Sequence, residues 1–155
     1  MPSAKQASKP NLNSAKALHL DNQLCFALYS TSLAMTKLYK PLLEALKLTY
    51  PQYLVMLVLW ESDALTVSKL GERLYLDSGT LTPLLKRMEQ SGLLVRVRSV
   101  DDERKVAVSL TQAGRKLKAR AANIPACVLE ASACSMAELQ ALTSELRTLR
   151  ERLAA

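Results

Sequence analysis

Between residues 76 and 114 the chain reads LDSGTLTPLLKRMEQSGLLVRVRSVDDERKVAVSLTQAG, and this stretch most narrows what it can fold into. Leu81, Leu84, Leu85 and Met88 recur at spacings of three and four, which predicts a helix opened by Ser78 to Thr80 with those side chains inward. Thr80, Thr82, Lys86 and Arg87 then point outward. Pro83 has to lie close to the first turn, because a deeper proline clashes with the preceding carbonyls. Gly92 ends the helix as the residue that takes a left-handed backbone. Residues 93–98 and 105–110 alternate around a charged tip and read as an antiparallel hairpin. Upstream, Thr66 caps VSKLGERLYL, which buries Val67, Leu70 and Leu74. Two short helices, a tight turn and a hairpin make a winged helix-turn-helix, with the second helix as the recognition helix. That order fits DNA: the helix enters a major groove and the hairpin tip reaches the neighbouring minor groove.

A chain of 155 residues is one domain by length and long enough to bury a core. With 49% hydrophobic and 23% charged residues it reads as an ordinary soluble globule. The net charge of +7 is local in origin, since Arg115, Lys116, Lys118 and Arg120 crowd residues 111–120 without an acid. Within residues 86–105, Lys86, Arg87, Arg96, Arg98, Arg104 and Lys105 outnumber Glu89, Asp101, Asp102 and Glu103. Such patches suggest a polyanionic partner; a merely solvated surface is the competing reading, and composition does not separate the two. No apolar run approaches the ~18–20 residues of a membrane span. The opening MPSAKQASKPNLNSAK lacks the apolar segment of a secretory signal, so residues 1–18 are expected to be a disordered polar tail and the protein cytoplasmic. Cys25, Cys127 and Cys134 match no zinc spacing and His19 stands outside any cluster, so no metal and no other cofactor is expected.

The rest reads as helices. Asp21 is the expected N-cap of a helix to about Lys40, with Leu24, Leu28, Met35 and Leu38 on its apolar side. Pro41 closes that helix or starts a short one, PLLEALK. Thr49-Tyr50-Pro51-Gln52 is a capping box with proline in the first turn, so the apolar run from Tyr53 to Trp60 reads as a central helix rather than a buried strand. Thr111 begins a long basic helix that Pro125 interrupts or restarts, and Ser135-Met136-Ala137-Glu138 is a second capping box. Leu139, Leu142, Leu146, Leu149 and Leu153 then form a seam that wants a partner helix. The expected fold is mainly α with a small β-hairpin wing. Residues 19–155 form a single domain, in which 19–48 and 112–155 supply dimerisation helices and 49–111 the DNA-binding lobe. Packing of the seam back on its own subunit is the alternative.

The segment LGERLYLDSGTLTPLLKRMEQSGLLVRVRSVDDERKVAVSLTQAG resembles the MarR family of dimeric winged-helix regulators. The shared wing pattern is an acid two residues before arginine and then a strand ending in Leu-Thr: Asp102, Arg104 and Leu110-Thr111. The resemblance implies that Arg104 probes the minor groove and that Asp102 orients it, with Asp101 as a possible substitute. Narrow minor grooves concentrate negative potential and attract arginine, so the role is physically sound. An exposed turn pair of little energetic weight is the competing reading. LDNQLCFALYS and LYKPLLEALKLTYPQYLVMLVLWE resemble the OhrR branch, the thiol-based sensors of organic hydroperoxides. By that resemblance Cys25 is the sensing cysteine, and tyrosine hydroxyls, some from the other subunit, hydrogen-bond to it. Tyr39 and Tyr50 match those positions, and Tyr29 follows Cys25 by one helical turn on the same face. Only a thiolate reacts quickly with peroxide, and hydroxyl donors stabilise it where no cation is near. An inert core thiol is the competing reading of a cysteine in an amphipathic helix.

The extra cysteines imply the two-cysteine class of OhrR sensors, in which a sulfenic acid at Cys25 is trapped by Cys127 or Cys134 of the partner subunit. On an unbroken helix those two would share a face about 10 Å apart, and the sequence does not choose between them. The implied function is a homodimeric repressor, not an enzyme. It would hold a pseudo-palindromic double-stranded operator through Ser78, Thr80, Thr82, Lys86, Arg87, Arg96, Arg98, Asp102, Arg104 and Lys105. It would release that operator when organic hydroperoxide oxidises Cys25. One alternative is release by a non-covalent phenolic or aromatic ligand near Tyr29, Tyr39 and Tyr50. Another is a thiol peroxidase, although Cys25 lacks the neighbouring cation that turnover needs.

Overall fold

The computed structural model describes residues 15–155, so the expected polar tail lies outside the described residues up to position 14. Ala15–Leu18 is a short 3-10 turn rather than unstructured chain. The helices are α1 (Leu24–Glu44), α2 (Tyr50–Glu61), α3 (Val67–Leu74), α4 (Ser78–Gln90), α5 (Gln112–Ala121), α6 (Ile124–Ser132) and α7 (Met136–Ala154). The strands are β1 (Leu65–Thr66), β2 (Leu94–Arg98) and β3 (Val106–Leu110). Two compact units make up the chain, one reaching to Lys37 and the other running from Leu38 to Ala155, so the division falls inside α1.

In the first unit, Asp21 is not the N-cap of α1. It belongs to a 3-10 turn, Leu20–Asn22. Gln23 closes that turn through its N–H to the Leu20 carbonyl (3.0 Å), and its own carbonyl accepts the Ala27 N–H (3.1 Å) as α1 begins. Its side-chain amide also donates to the carbonyls of Ala17 (2.6 Å) and His19 (3.0 Å). Leu24, Leu28, Leu33 and Met35 are all exposed.

In the second unit, α1 runs through Pro41 to Glu44, so the proline neither closes a helix nor starts one. It removes a single backbone donor; the real exit is a left-handed residue, Lys47 (φ 54°). There the N–H groups of Lys47 and Leu48 bond to the carbonyls of Glu44 (3.0 Å) and Leu43 (3.1 Å), which satisfies the helix end. Helix α2 opens on the expected reciprocal box between Thr49 and Gln52 and buries Tyr53, Val55, Met56, Val58 and Leu59. Burial on so many faces makes it the centre of the core.

Helices α3 and α4 pack on α2 and on each other. The cap of α3 is Thr66, as its sequence suggests, but the cap of α4 is Asp77, whose carboxylate accepts the Thr80 N–H at 2.7 Å. Pro83 lies in the second turn, deeper than expected, where it cannot donate to the carbonyl of the exposed Gly79. Gly92 takes φ +76° and ends α4: its N–H bonds to Glu89 and that of Leu93 bonds to Met88. The hairpin pairs Leu94 with Leu110 through Arg98 with Val106. A third strand, β1, adds to its other side and pairs Leu65 with Val108, giving the order β1-β3-β2. Two residues are too few for an alternating pattern, so this strand is not legible in the sequence. Leu59, Leu70, Leu81, Leu85, Met88, Leu94 and Val108 close the core.

Thr111 caps α5, and Pro125 restarts the chain as α6 rather than bending one long helix. Ser135 and Glu138 form the second reciprocal box at the start of α7. Helix α7 has no buried residue: Leu142, Leu146 and Leu153 are exposed, and Leu139 and Leu149 are half-buried. No helix among the described residues is long and apolar enough to cross a membrane.

Candidate functional site

The junction between recognition helix and wing is tied from several sides. The Thr111 hydroxyl donates to the Gly92 carbonyl (2.6 Å), and the Thr111 N–H bonds to the Leu93 carbonyl (3.1 Å). Gly114 packs so closely that a Cβ there would lie 2.2 Å from the Leu93 oxygen. The Asp63 carboxylate accepts from the N–H groups of Leu110 (2.9 Å) and Ala64 (2.8 Å) and pairs with Arg115 (3.4 Å). Burial works against its charge, but those donors outweigh it and hold the carboxyl below its ordinary range. On the other side Glu89 of α4 accepts from the N–H and the guanidinium of Arg96 on β2 (2.9 and 3.3 Å). The Arg96 guanidinium and amide together lower the Glu89 pKa.

With helix and hairpin fixed in this way, a cleft of about 710 Å³ opens between them. Ser78 and Thr82 line it from α4, and Arg96, Arg98, Arg104 and Lys105 from the wing. Six of the expected DNA-contacting residues therefore share one concave surface. Ser68 and Lys69 join them from the first turn of α3, and neither is singled out by the sequence pattern. The signal available was the Thr66 cap, which brings the first turn of α3 beside the hairpin. The other four expected residues do not line the cleft. Lys86 and Arg87 are exposed farther along α4. Thr80 is engaged at the cap, where its amide and hydroxyl hold the Asp77 carboxyl below its ordinary range. Asp102 lies in the wing tip, where it accepts from the Arg104 N–H (3.0 Å) and Nε (3.4 Å). The Arg104 side chain is 93% exposed and so reaches outward from that anchor. Asp101 instead bonds through its N–H to the Ser99 hydroxyl.

Cys25 is exposed in the first turn of α1, and Tyr29, one turn later, is exposed as well. Cys127 and Cys134 are half-buried free thiols. The helix they were expected to share is broken: α6 ends at Ser132, Ala133 turns left-handed (φ 54°), and Cys134 follows. The Cys134 thiol donates to the Ser132 carbonyl at 3.4 Å. Tyr39 and Tyr50 meet in the second unit with ring centroids 5.0 Å apart, and Tyr53, three residues after Tyr50, lies 5.8 Å from Tyr39. Burial raises the pKa of all three phenols, and repulsion from Tyr50 and Tyr53 adds to the rise at Tyr39. At neutral pH they are therefore hydrogen-bond donors. Among the described residues no group of three His, Cys, Asp or Glu side chains could hold a metal ion.

The family profile described as transcriptional regulator SarA/Rot matches residues 37–121. The organic hydroperoxide resistance transcriptional regulator of Bacillus subtilis (strain 168) is 58% identical over 136 residues, which are 88% of this chain and 92% of that protein. The chain belongs to this branch of the MarR-type winged-helix regulators. Its membership places it among transcriptional regulators rather than enzymes, which removes the peroxidase reading. Two solved structures of AbfR, a Staphylococcus epidermidis protein, are also similar. The reduced protein bound to DNA is 34% identical with a TM-score of 0.75, covering 90% of this chain and 98% of that one. The disulfide form is 38% identical with a TM-score of 0.59, covering 86% and 94%.

Proposed function

We propose that this regulator is a homodimeric repressor that binds double-stranded DNA through the cleft between α4 and the wing. Organic hydroperoxide would release it by oxidising Cys25. The observation that carries the proposal is that one chain holds both parts: a cationic cleft between helix and hairpin, and an exposed thiol at the start of α1. A relative of 34–38% identity, known both reduced on DNA and with a disulfide formed, supports the pairing of the two. Ser78 and Thr82 face the major groove with Thr80, Lys86 and Arg87 on the same helix, and Arg104, anchored by Asp102, reaches into the minor groove. Arg98 and Lys105 hold phosphates from the wing, and Arg96 does so while braced by Glu89.

In the proposed chemistry the Cys25 thiolate attacks the distal peroxide oxygen. The O–O bond breaks, the alcohol leaves with a proton, and sulfur becomes a sulfenic acid. A thiol of the partner subunit, Cys127 or Cys134, then displaces hydroxide, which leaves as water, and a disulfide forms. The hydroxyls of Tyr29, Tyr39 and Tyr50, some of them from the partner subunit, are the proposed donors to the Cys25 thiolate. A disulfide demands Cα atoms within about 7 Å, so its formation would draw helices together and spoil the spacing of two recognition helices set for half-sites ~34 Å apart. The exposed apolar faces of α1 and α7 are the proposed dimer surface. The test is a gel-shift titration with cumene hydroperoxide, on a duplex selected from a random pool by the reduced protein. Wild type should release the duplex and Cys25→Ser should keep it; release by the variant overturns the proposal. Mass spectrometry of the oxidised dimer identifies which of Cys127 and Cys134 is crosslinked.

A further inference from the structure

The three tyrosines of the second unit do not end as a local cluster. Tyr39 contacts Tyr50 and Tyr53, and the ring of Tyr53, a residue only 3% exposed, meets the Trp60 indole edge-on with centroids 6.5 Å apart. The Trp60 indole N–H then donates to the Gly114 carbonyl at 2.9 Å. Gly114 is the residue with no room beside the Leu93 oxygen, and the capping hydroxyl of its turn, on Thr111, holds the Gly92 carbonyl. A continuous run of rigid rings therefore starts at the phenol pair and ends where α4 passes into the wing.

We infer that Tyr53 and Trp60 are positioning residues that couple the Tyr39–Tyr50 pair to the junction between recognition helix and wing. The inference rests on the reading of Cys25 as the sensor and of the two phenols as its hydrogen-bond donors. Aromatic rings have few torsions, and a close-packed interior offers no void to absorb a displacement. When the phenols lose a thiolate partner and repack, Tyr53 and Trp60 have to follow. The indole N–H hands that movement to the first turn of α5, which holds Gly92 and Leu93. The wing and the end of α4 then shift relative to each other, and the cleft no longer matches its DNA. Coupling of this kind shows as an effect of one site on the other.

The experiment measures affinity for the selected duplex by fluorescence anisotropy, before and after one equivalent of cumene hydroperoxide. Trp60→Phe keeps a ring but loses the N–H. It should leave the reduced affinity near wild type and shrink the ratio of oxidised to reduced dissociation constants by about threefold or more. Tyr53→Phe, which keeps the ring, should retain the wild-type ratio. An unchanged ratio in Trp60→Phe, or an equal shift of both constants, overturns the inference while leaving the sensor reading intact. Release of Cys25→Ser by hydroperoxide defeats the sensor reading and the inference with it. Should Trp60→Phe fold poorly, wild-type emission decides, because Trp60 is the single tryptophan. Its spectrum should change on oxidation in wild type and stay fixed in Cys25→Ser, and an unchanged wild-type spectrum overturns the relay.

Discussion

Helices α4 and α7 carry the same kind of pattern, leucines at spacings of three and four, yet they end in opposite surroundings. Helix α4 buries Leu81, Leu84, Leu85 and Met88 against α2, α3 and the wing, whereas α7 has no buried residue. Periodicity tells which face of a helix is apolar; it does not tell what covers that face. The lobe from α2 to β3 is covered within the chain, with Leu43, Leu117, Ile124 and Val128 completing the same core. The terminal helices leave Leu24, Leu28, Leu142 and Leu146 in water, a condition that a second copy of the chain would relieve.

Core truncation is the hardest test of that contrast. Leu85→Ala should destabilise the protein by about 2–5 kcal/mol in urea unfolding, at every protein concentration. Leu146→Ala should instead show a concentration-dependent loss, matched by weaker self-association in sedimentation. If both losses ignore concentration, α7 is covered within its own subunit and the contrast fails.

Gly114→Ala sharpens the picture of the lobe. Its added carbon has nowhere to go but into the Leu93 carbonyl, so a loss of about 1–3 kcal/mol is expected in thermal or urea unfolding. On the DNA side, Arg104→Ala should cost about 1–3 kcal/mol of binding and relax discrimination at the minor-groove position. Asp102→Ala should cost about 1 kcal/mol or less, and Asp101→Ala nothing measurable, since only Asp102 touches Arg104. Equal effects from the two aspartates would return the anchor to doubt.

The smallest expected effect is one of pH. The Asp63 carboxyl is held below its ordinary value of 3.8. Its contribution is therefore fully present above that value and is lost as pH falls through the lower, folded-state value. Asp63→Asn should lower stability at neutral pH and flatten the acid limb of an unfolding profile, with no change in the alkaline limb.

Much of the lobe is legible residue by residue because its signals are local. A capping box needs two residues three apart, a helix stop needs a glycine free to take positive φ, and a hairpin needs an alternating pair of runs. The signals misread were those with a local rival. Asp21 resembles a cap but lies in a 3-10 turn that Gln23 closes. Pro41 looks like a boundary but sits inside α1, and Pro83 sits one turn deeper in α4 than expected, since a helix held by its packing tolerates one lost backbone bond. In the candidate site, Ser78, Thr82, Arg96, Arg98, Arg104 and Lys105 were legible as one basic surface, while Ser68 and Lys69 were hidden in a helix that looks like support.

Taken alone, the amino-acid order determined the succession of elements, the inward faces of α3 and α4, and the residues suited to meeting a polyanion. All of these depend on spacing along the chain. Only the folded structure decided that Glu89 braces Arg96, that Asp102 rather than Asp101 holds Arg104, and that Tyr53 and Trp60 join Tyr39 to Gly114. The first two partners depend on how a helix meets its hairpin and how the hairpin tip turns, and the last on packing between elements 54 residues apart; helical or strand periodicity records neither.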